Sequence, residues 1–329
     1  MFCKVEDGSS GSAARPQLAR LVPLLALVAL LAACTANGGP GDISAAVDPT
    51  STSTTGPGRI PDARSRCPRP TLGQAVRVAD PGLSEISGAV LSPSDRTILW
   101  VHEDSGNDPV LTALAPDGTT AGSYVVSGVR AVDWEDIASG TGPDGSHYLF
   151  VADIGDNRAQ RGELLVHRIA APEQPFEGGS VRVDATIPLR LAAPADAEAL
   201  LVDPATGDLV VVTKDLTGDA EVHVAPATAW DAPDGPVTME HRGTVSLGLL
   251  SPVLAGDVSA DGRQVVLRTP TGVVWWRRAE GTSLAEVLLG EDRCHLPGVV
   301  DVHGEAVALH PDGGYVLVGE GDAEIVRAR

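Results

Sequence analysis

From Cys67 to the C-terminus, short apolar runs rich in Val, Leu and Ile alternate with turns rich in Pro, Asp and Gly. Such runs, bounded by turn residues, are typical of β-strands. Turns such as Pro116-Asp117-Gly118 and Pro143-Asp144-Gly145 suit hairpins, because proline presets the first turn angle and glycine accepts a positive φ. The pattern therefore predicts an all-β domain over residues 67–329. The predicted strands are Ala75–Ala79, Ala89–Leu91, Ile98–His102, Tyr148–Ala152, Leu164–Ile169, Ala185–Leu191, Ala199–Val202, Leu209–Thr213, Val222–Ala225, Gly243–Leu247, Gln264–Arg268, Gly272–Arg277, Ala306–Leu309, Tyr315–Val318 and Glu324–Arg327.

The same order of features recurs along this domain. Each unit opens with an acid among small residues, continues with a strand and a turn, and ends with a second strand. The opening acids are Glu85, Glu135, Glu198, Asp257 and Glu305. The first two units align without gaps, with Glu85 matching Glu135 and Trp100 matching Phe150. Repeats of roughly 50 to 60 residues, the spacing of these acids, predict a β-propeller in an all-β chain, with one four-stranded blade per repeat.

Closure of the ring can also be predicted. The last unit runs from Glu305 to Arg329 and is long enough for about three strands. A strand near Ala75–Ala79 can supply the missing outer strand and close the circle. Five blades are visible in the sequence. A sixth, degenerate blade within the longer intervals that follow Glu135 and Glu198 is the alternative.

The composition of the chain disfavours one class of partner, nucleic acid. The formal net charge is −20 over 329 residues, which disfavours nucleic acid because its phosphates would be repelled. Aromatic residues make up only 3% of the chain, so the core is expected to consist of Val, Leu, Ala and Ile. We expect a monomer whose ligand is a small molecule or another protein.

The N-terminus carries a targeting segment, residues 1–33. Arg15 and Arg20 precede the apolar run Leu21–Ala33, which is too short to span a bilayer. The run ends in L-A-A-C, which resembles the lipobox of bacterial lipoproteins. The resemblance implies a cysteine at position 34 that carries lipid, palmitate included, and anchors the protein to the membrane outside the cytoplasm. An ordinary signal peptide of a secreted protein is the alternative.

Two features follow from an exported chain. Residues 34–66, after the lipid site at Cys34, are rich in Gly, Pro, Ser and Thr and predict a flexible tether. Cys67 and Cys294 are then the remaining cysteines of the mature protein. In an oxidising compartment they are expected to form a disulfide, with two buried free thiols as the alternative.

The opening acids precede the strands that line the channel of a propeller, so they should converge at one mouth. Two carboxylates 4 Å apart repel each other by about 4 kcal/mol at an effective dielectric constant of 20. A bound Ca²⁺ or Mg²⁺ would offset that repulsion. Alternatively, each acid accepts backbone hydrogen bonds in the turn between blades. The candidate metal ligands are Glu85, Glu135, Asp136, Asp153, Glu198, Asp257 and Glu305, and the candidate ligand-binding residues are Glu103, Asp104, Asn107, Asp156 and Asn157.

Motifs of common enzymes are missing from the sequence: it contains no G-x-S-x-G, H-E-x-x-H, P-loop or C-x-x-C. His102, beside Glu103 and Asp104, is the best candidate for a general base. A strand-end histidine that only packs against its neighbours is the alternative.

The acidic openings, and second strands that end in V-A-D or V-x-E, resemble the calcium-dependent six-bladed propellers. These are the gluconolactonase/regucalcin-like proteins and the β-propeller, or esterase-like, phytases. The resemblance implies that acids at the channel mouth hold Ca²⁺ and that the substrate sits above the ion. By position the matching acids are Glu85, Glu135, Asp153, Glu198, Asp257 and Glu305.

Two functions are therefore expected from the sequence. The first is a membrane-tethered propeller that binds a ligand or partner at its acidic mouth, with or without a divalent cation. The second is a calcium-dependent hydrolase of a lactone or a phosphoester.

Overall fold

A computed structural model describes residues 67–231, 235–299, 304–319, 321 and 323–329. The targeting segment 1–33, the lipid site at Cys34 and the tether to residue 66 lie outside these residues. In the described part of the chain, no helix is both long and apolar enough to cross a membrane.

Strands dominate the described residues. Their bounds are β1 Val76–Arg77, β2 Ile86–Leu91, β3 Leu99–Glu103, β4 Val110–Leu114, β5 Thr120–Ser127, β6 Trp134–Thr141, β7 His147–Asp153, β8 Leu164–Ala170, β9 Gly179–Arg190, β10 Ala197–Val202, β11 Leu209–Thr213, β12 Asp219–Ala225, β13 Val237–Thr238, β14 Glu240–Ser246, β15 Ala255–Val258, β16 Gln264–Thr269, β17 Gly272–Arg277, β18 Arg293–Pro297, β19 Ala306–Leu309, β20 Tyr315–Val318 and β21 Glu324–Ala328. A 3₁₀ turn covers Ala227–Asp231. One short helix, α1 (Leu284–Leu288), begins with a capping box between Ser283 and Glu286.

The strands form five antiparallel blades of four strands each, and a parallel pairing of β5 with β9 joins blades 1 and 2 in one larger sheet. Blade 1 is β2–β5, blade 2 is β6–β9, blade 3 is β10, β11, β12 and β14, blade 4 is β15–β18, and blade 5 is β19, β20, β21 and β1. The first strands contact one another in the order β2, β6, β10, β15, β19 and back to β2. This closed circle of innermost strands confirms the predicted β-propeller, with five blades in the described residues.

The N-terminal strand closes the ring, as predicted. Val76 of β1 pairs with Ile325 of β21, so the outermost strand of blade 5 comes from the start of the domain. Leu72 forms a further bridge to Ala328. A disulfide joins Cys67 to Cys294 in β18 and ties the start of the domain to blade 4. The predicted disulfide is confirmed.

The core lies between blades rather than at the centre of the ring. Five clusters of buried side chains, one at each blade interface, consist mainly of Val, Leu, Ala and Ile. Three large aromatic side chains in these clusters, Trp100, Trp134 and Trp276, are almost completely buried. Because both faces of a blade are apolar, a single repeat could not bury them alone, and stacking around the ring does so.

The longer second and third repeats do not contain a sixth sheet in the described residues. Part of the extra length lengthens β9, whose first residues pair in parallel with β5, and part forms the short β13, which pairs in parallel with β9. The strands predicted from the sequence do not cover β4, β5, β6, β13, β15 or β18. Of these, β5 exposes alternate side chains to solvent and carries few apolar residues.

Candidate functional site

Three neighbouring blades share an irregularity at the start of their first strands. In each, the pairing with the second strand shifts by one residue, which leaves Ser87 of β2, Glu135 of β6 and Glu198 of β10 as the extra residue. Such β-bulges redirect side chains and occur often beside functional sites. These three residues therefore occupy equivalent positions at one end of the channel, which we call the mouth.

The bulges change how the repeats align. The sequence analysis matched Glu85 with Glu135, whereas the structure matches Ser87 with Glu135. Glu85 corresponds instead to Asp133 and Asp196, each two residues before the bulge. The carbonyl oxygens of these three acids accept equivalent backbone hydrogen bonds, from Asp104 N at 2.8 Å, Gly155 N at 3.2 Å and Lys214 N at 2.9 Å.

Five acids come together at the mouth and are called the mouth cluster: Asp104, Asp133, Glu135, Asp196 and Glu198. Carboxylate oxygens of Asp104, Asp133 and Glu135 lie within 4.8 Å of one another. Oxygens of Glu135, Asp196 and Glu198 do the same. Glu135 belongs to both groups, so it is the centre of the cluster.

Glu135 is buried and poorly satisfied by the protein. It is 4% exposed. In the described part of the chain, its carboxylate accepts one side-chain hydrogen bond, from Ser87 Oγ at 3.2 Å. Burial, followed by the charges of Glu198 and Asp104, raises the pKa of Glu135 far above its usual range. A carboxylate in this state is stabilised by a proton or by a bound cation.

A glycine makes room for two of the acids. A Cβ atom on Gly155 would lie 2.1 Å from Glu135 Oε1 and 2.6 Å from Asp133 Oδ2. Both contacts are shorter than any real contact of a Cβ atom, so only glycine lets the two carboxylates lie side by side against the backbone. Burial and the charge of Asp104 raise the pKa of Asp133 to about 6, although the Arg161 guanidinium lowers it.

Lys214 provides a cation on the other side of Glu135. Its Nζ lies 2.6 Å from Oε1 of the buried Glu198. Burial disfavours the charge of Lys214, but the carboxylates of Glu198 and Glu305 outweigh burial and raise its pKa. Burial also raises the pKa of Glu198, partly offset by Lys214. One side of the cluster is thus paired with an ammonium group, and the side formed by Asp104 and Asp133 has no lysine partner among the described residues.

Other predicted metal ligands bind backbone groups instead. Asp136 accepts hydrogen bonds from Ile137 N at 2.9 Å, Leu200 N at 2.9 Å and Gly256 N at 3.1 Å, and so joins three first strands. Asp257 accepts from the backbone N–H groups of Val258 and Leu309, both at 2.7 Å. Burial raises the pKa of Asp257 to about 7 against these bonds. For these two acids the structure favours the alternative to metal binding, in which the carboxylate accepts backbone hydrogen bonds.

Asp153 and Asp156 hold the loop after β7. Asp153 accepts from Val132 N and Asp133 N, and Arg161 Nη2 lies 2.6 Å from its Oδ1. Asp156 accepts backbone N–H groups of its own loop, at 2.9 and 2.6 Å, and its own N–H donates to Asp196 Oδ1 at 2.7 Å. These acids therefore position Asp133 and Asp196.

The remaining predicted site residues lie at the edge of the mouth. Glu85 is exposed and accepts a hydrogen bond from Asn107 Nδ2 at 2.9 Å. Glu103 accepts from Ser84 N and Glu85 N and fixes the entry to β2. Asn157 is exposed, and Glu305 is half-buried beside blade 5.

His102 lies in the core rather than at the mouth. It is 1% exposed, and its ring packs edge-on against Trp134 with 5.4 Å between ring centroids. Its Nδ1 donates to the carbonyl oxygen of Glu103 at 3.1 Å. Burial lowers its pKa to about 4, so the imidazole is neutral at physiological pH. The structure favours a packing role.

Sequence reasoning did not single out Asp196, Ser87 or Gly155. Asp196 precedes Glu198 by two residues, as Asp133 precedes Glu135, and this repeated acid-x-acid spacing was a usable signal. The roles of Ser87 and Gly155 depend on the bulge and on a close approach, which only coordinates show.

Comparison with known proteins gives distant likenesses. No family model and no curated protein sequence matches the chain. Among solved structures, a gluconolactonase from Xanthomonas campestris is similar at 14% identity and a TM-score of 0.41, covering 80% of this chain and 96% of that one. Hydrazine synthase from Kuenenia stuttgartiensis is similar at 14% identity and a TM-score of 0.36, covering 75% of this chain and 58% of that one. Likenesses this distant do not identify the chemistry of this chain.

Proposed function

We propose that the protein binds a divalent cation at the channel mouth and uses that site to hold a ligand. The observation that carries the proposal is Glu135. Its carboxylate is buried, belongs to both groups of the mouth cluster, and receives one hydrogen bond from the residues that the structure describes. A cation is the simplest group that would stabilise its charge there.

The donor set fits Ca²⁺. Carboxylate oxygens are hard ligands, and Ca²⁺ takes oxygens at about 2.3–2.6 Å. Two oxygens bound to one such ion on opposite sides are about 4.6–5.2 Å apart, which accommodates the 4.8 Å limit within Asp104, Asp133 and Glu135. Mg²⁺ is usually bound by one or two carboxylates and keeps several waters, so a set of three carboxylates suits Ca²⁺ better.

The surrounding residues have distinct parts in this proposal. Asp104, Asp133 and Glu135 would hold the ion, because Lys214, the lysine at the mouth, pairs with Glu198 instead. Three carboxylates leave coordination positions for water or for oxygen atoms of a ligand, since Ca²⁺ takes about six to eight oxygens. Lys214 would remain paired with Glu198 and limit the negative charge around the ion.

Calorimetric titration of the metal-free full-length protein with Ca²⁺ tests the proposal. We expect one site per chain, lost or weakened at least about tenfold in Glu135→Gln, because one of the charged ligands is removed. Glu240→Gln is the matched control, since that side chain is 70% exposed and lies on β14, the outermost strand of blade 3. Wild-type protein that binds no Ca²⁺, or two variants that bind equally, would contradict the proposal.

A second candidate function is hydrolysis of a lactone or phosphoester at the same site. It is favoured by Glu198, whose raised pKa and position within 4.8 Å of Glu135 suit a group that exchanges protons near neutral pH. In this case Glu198→Gln should retain Ca²⁺ binding and lose turnover of γ-butyrolactone or p-nitrophenyl phosphate. Wild-type protein that turns over neither compound with Ca²⁺ present would leave the binding function alone.

The place of action is also part of the proposal: outside the cytoplasm, on a lipid anchor at Cys34. The disulfide between Cys67 and Cys294 supports export, because such bonds persist in oxidising compartments. Cys34→Ser should release the protein from the membrane fraction. A variant that stays in the membrane fraction as wild type does would refute the anchor.

A further inference from the structure

A cavity of about 220 Å³ opens on the outer rim of the mouth face, between the end of blade 2 and the loop that leads to β10. We call it the rim cavity. Its apolar wall is formed by Leu164, Leu191, Ala192, Pro194 and Ala195. Leu164 and Leu191 are 3% and 6% exposed, so the floor is firmly packed. Cavities of about 150 Å³ hold benzene in other proteins, so the rim cavity has room for a group of that size or slightly larger.

Two arginines border this apolar wall. The guanidinium of Arg161 already has partners within the protein, because it donates to Gly155 O at 2.7 Å and to Asp153 Oδ1 at 2.6 Å. Arg190 is different: its side chain is 51% exposed. Its contacts, to Gly162 O at 3.3 Å and to Glu163 Oε1 at 3.4 Å, are both long for hydrogen bonds. The guanidinium of Arg190 is therefore loosely held and can turn towards a ligand in the cavity.

An apolar pocket with a loosely held guanidinium at its edge suits one class of ligand. Arginine binds carboxylates through two parallel hydrogen bonds, and an apolar body gains free energy by leaving water for the leucine wall. The carboxylate of Glu163 would compete only weakly with the ligand for Arg190, because it is half-exposed to solvent and its distance to the guanidinium is long.

We propose that the rim cavity binds a small organic carboxylate with an apolar body about the size of a phenyl ring, and that Arg190 recognises its carboxylate. This site is separate from the cation at the mouth cluster. Arg190 and the apolar wall lie outside the cluster, so the carboxylate would be bound without a contact to the ion.

The test titrates full-length protein with three compounds of similar size and different charge: phenylacetate, 2-phenylethanol and 2-phenylethylamine. Phenylacetate should bind at least about tenfold more tightly than the other two. Arg190→Gln should remove that preference, and Arg182→Gln, an exposed arginine of the same strand, should keep it. Equal binding of the three compounds, no binding of phenylacetate, or equal behaviour of the two variants would overturn the proposal.

A second pair of variants tests the location. Ala192→Phe should fill the cavity and abolish phenylacetate binding, whereas Ala193→Phe, next to it and outside the cavity wall, should not. Melting temperatures of both variants check that they are folded. Binding of phenylacetate should be the same in EDTA as in Ca²⁺. Loss of binding in EDTA, or full binding by Ala192→Phe, would contradict the assignment to the rim cavity.

Discussion

Replacement of Asp136 by alanine tests how the ring of first strands is held together. The Asp136 carboxylate accepts three buried backbone N–H groups, two of them from first strands of other blades, Leu200 in β10 and Gly256 in β15. An unpaired buried N–H costs about 1–3 kcal/mol. Three such groups would cost about 3–9 kcal/mol, reduced because the variant no longer buries a carboxyl group.

We therefore expect Asp136→Ala to lower the free energy of unfolding by about 3–6 kcal/mol, a large part of the 5–15 kcal/mol that is typical of folded domains. Asp136→Asn keeps one carbonyl oxygen as an acceptor and should lose less. Denaturant unfolding in EDTA measures both. Asp117→Ala, which removes an exposed turn acid, is the control and should have a far smaller effect. If Asp136→Ala unfolds at the same denaturant concentration as Asp117→Ala, the proposed role of Asp136 is wrong.

Four further outcomes are expected. Gly155→Ala should weaken Ca²⁺ binding without changing any charge, since its Cβ would displace the Glu135 carboxylate; calorimetry that finds unchanged affinity would refute this. In EDTA, the raised pKa of Asp133, about 6, means that the folded form holds this proton more tightly than the unfolded chain, so this group's contribution to stability should fall as pH rises from about 4 to 6. The gain in melting temperature from Ca²⁺ should then be larger at pH 8 than at pH 5, because protons no longer compete. Cys67→Ser with Cys294→Ser should lower stability by up to about 5 kcal/mol, because the bond closes a loop of 227 residues.

The architecture of this protein was readable from its sequence where strands are buried on both faces. β3, β7, β11, β16 and β20 carry continuous apolar runs, because each lies between two neighbouring blades. Ring closure by β1 was readable as well, since the last repeat lacked a strand. Outer strands such as β5 were missed because solvent replaces one of their packing faces, which removes the apolar run.

The site was only partly predictable. Clusters of acids at the start of each repeat identified the mouth, and Glu135 and Glu198 were among them. The sequence could not show that a one-residue bulge aligns Ser87, rather than Glu85, with Glu135. A bulge leaves the apolar pattern almost unchanged while it redirects the side chain that matters.

The acids also differ in ways that spacing cannot reveal. Asp136 and Glu135 are adjacent in the chain. Among the described residues, however, Asp136 accepts three backbone N–H groups and the Glu135 carboxylate accepts one hydroxyl. Which acid is already satisfied depends on contacts with other blades, and these exist only in the closed ring.

Crystals of the full-length protein grown with Ca²⁺ would test the central claim most directly, through the anomalous signal of the ion. We predict a peak at the mouth, about 2.3–2.6 Å from a carboxylate oxygen of Glu135 and from at least one oxygen of Asp104 or Asp133. A map with no peak there, in which Glu135 is paired with a side chain of the protein instead, would contradict the claim.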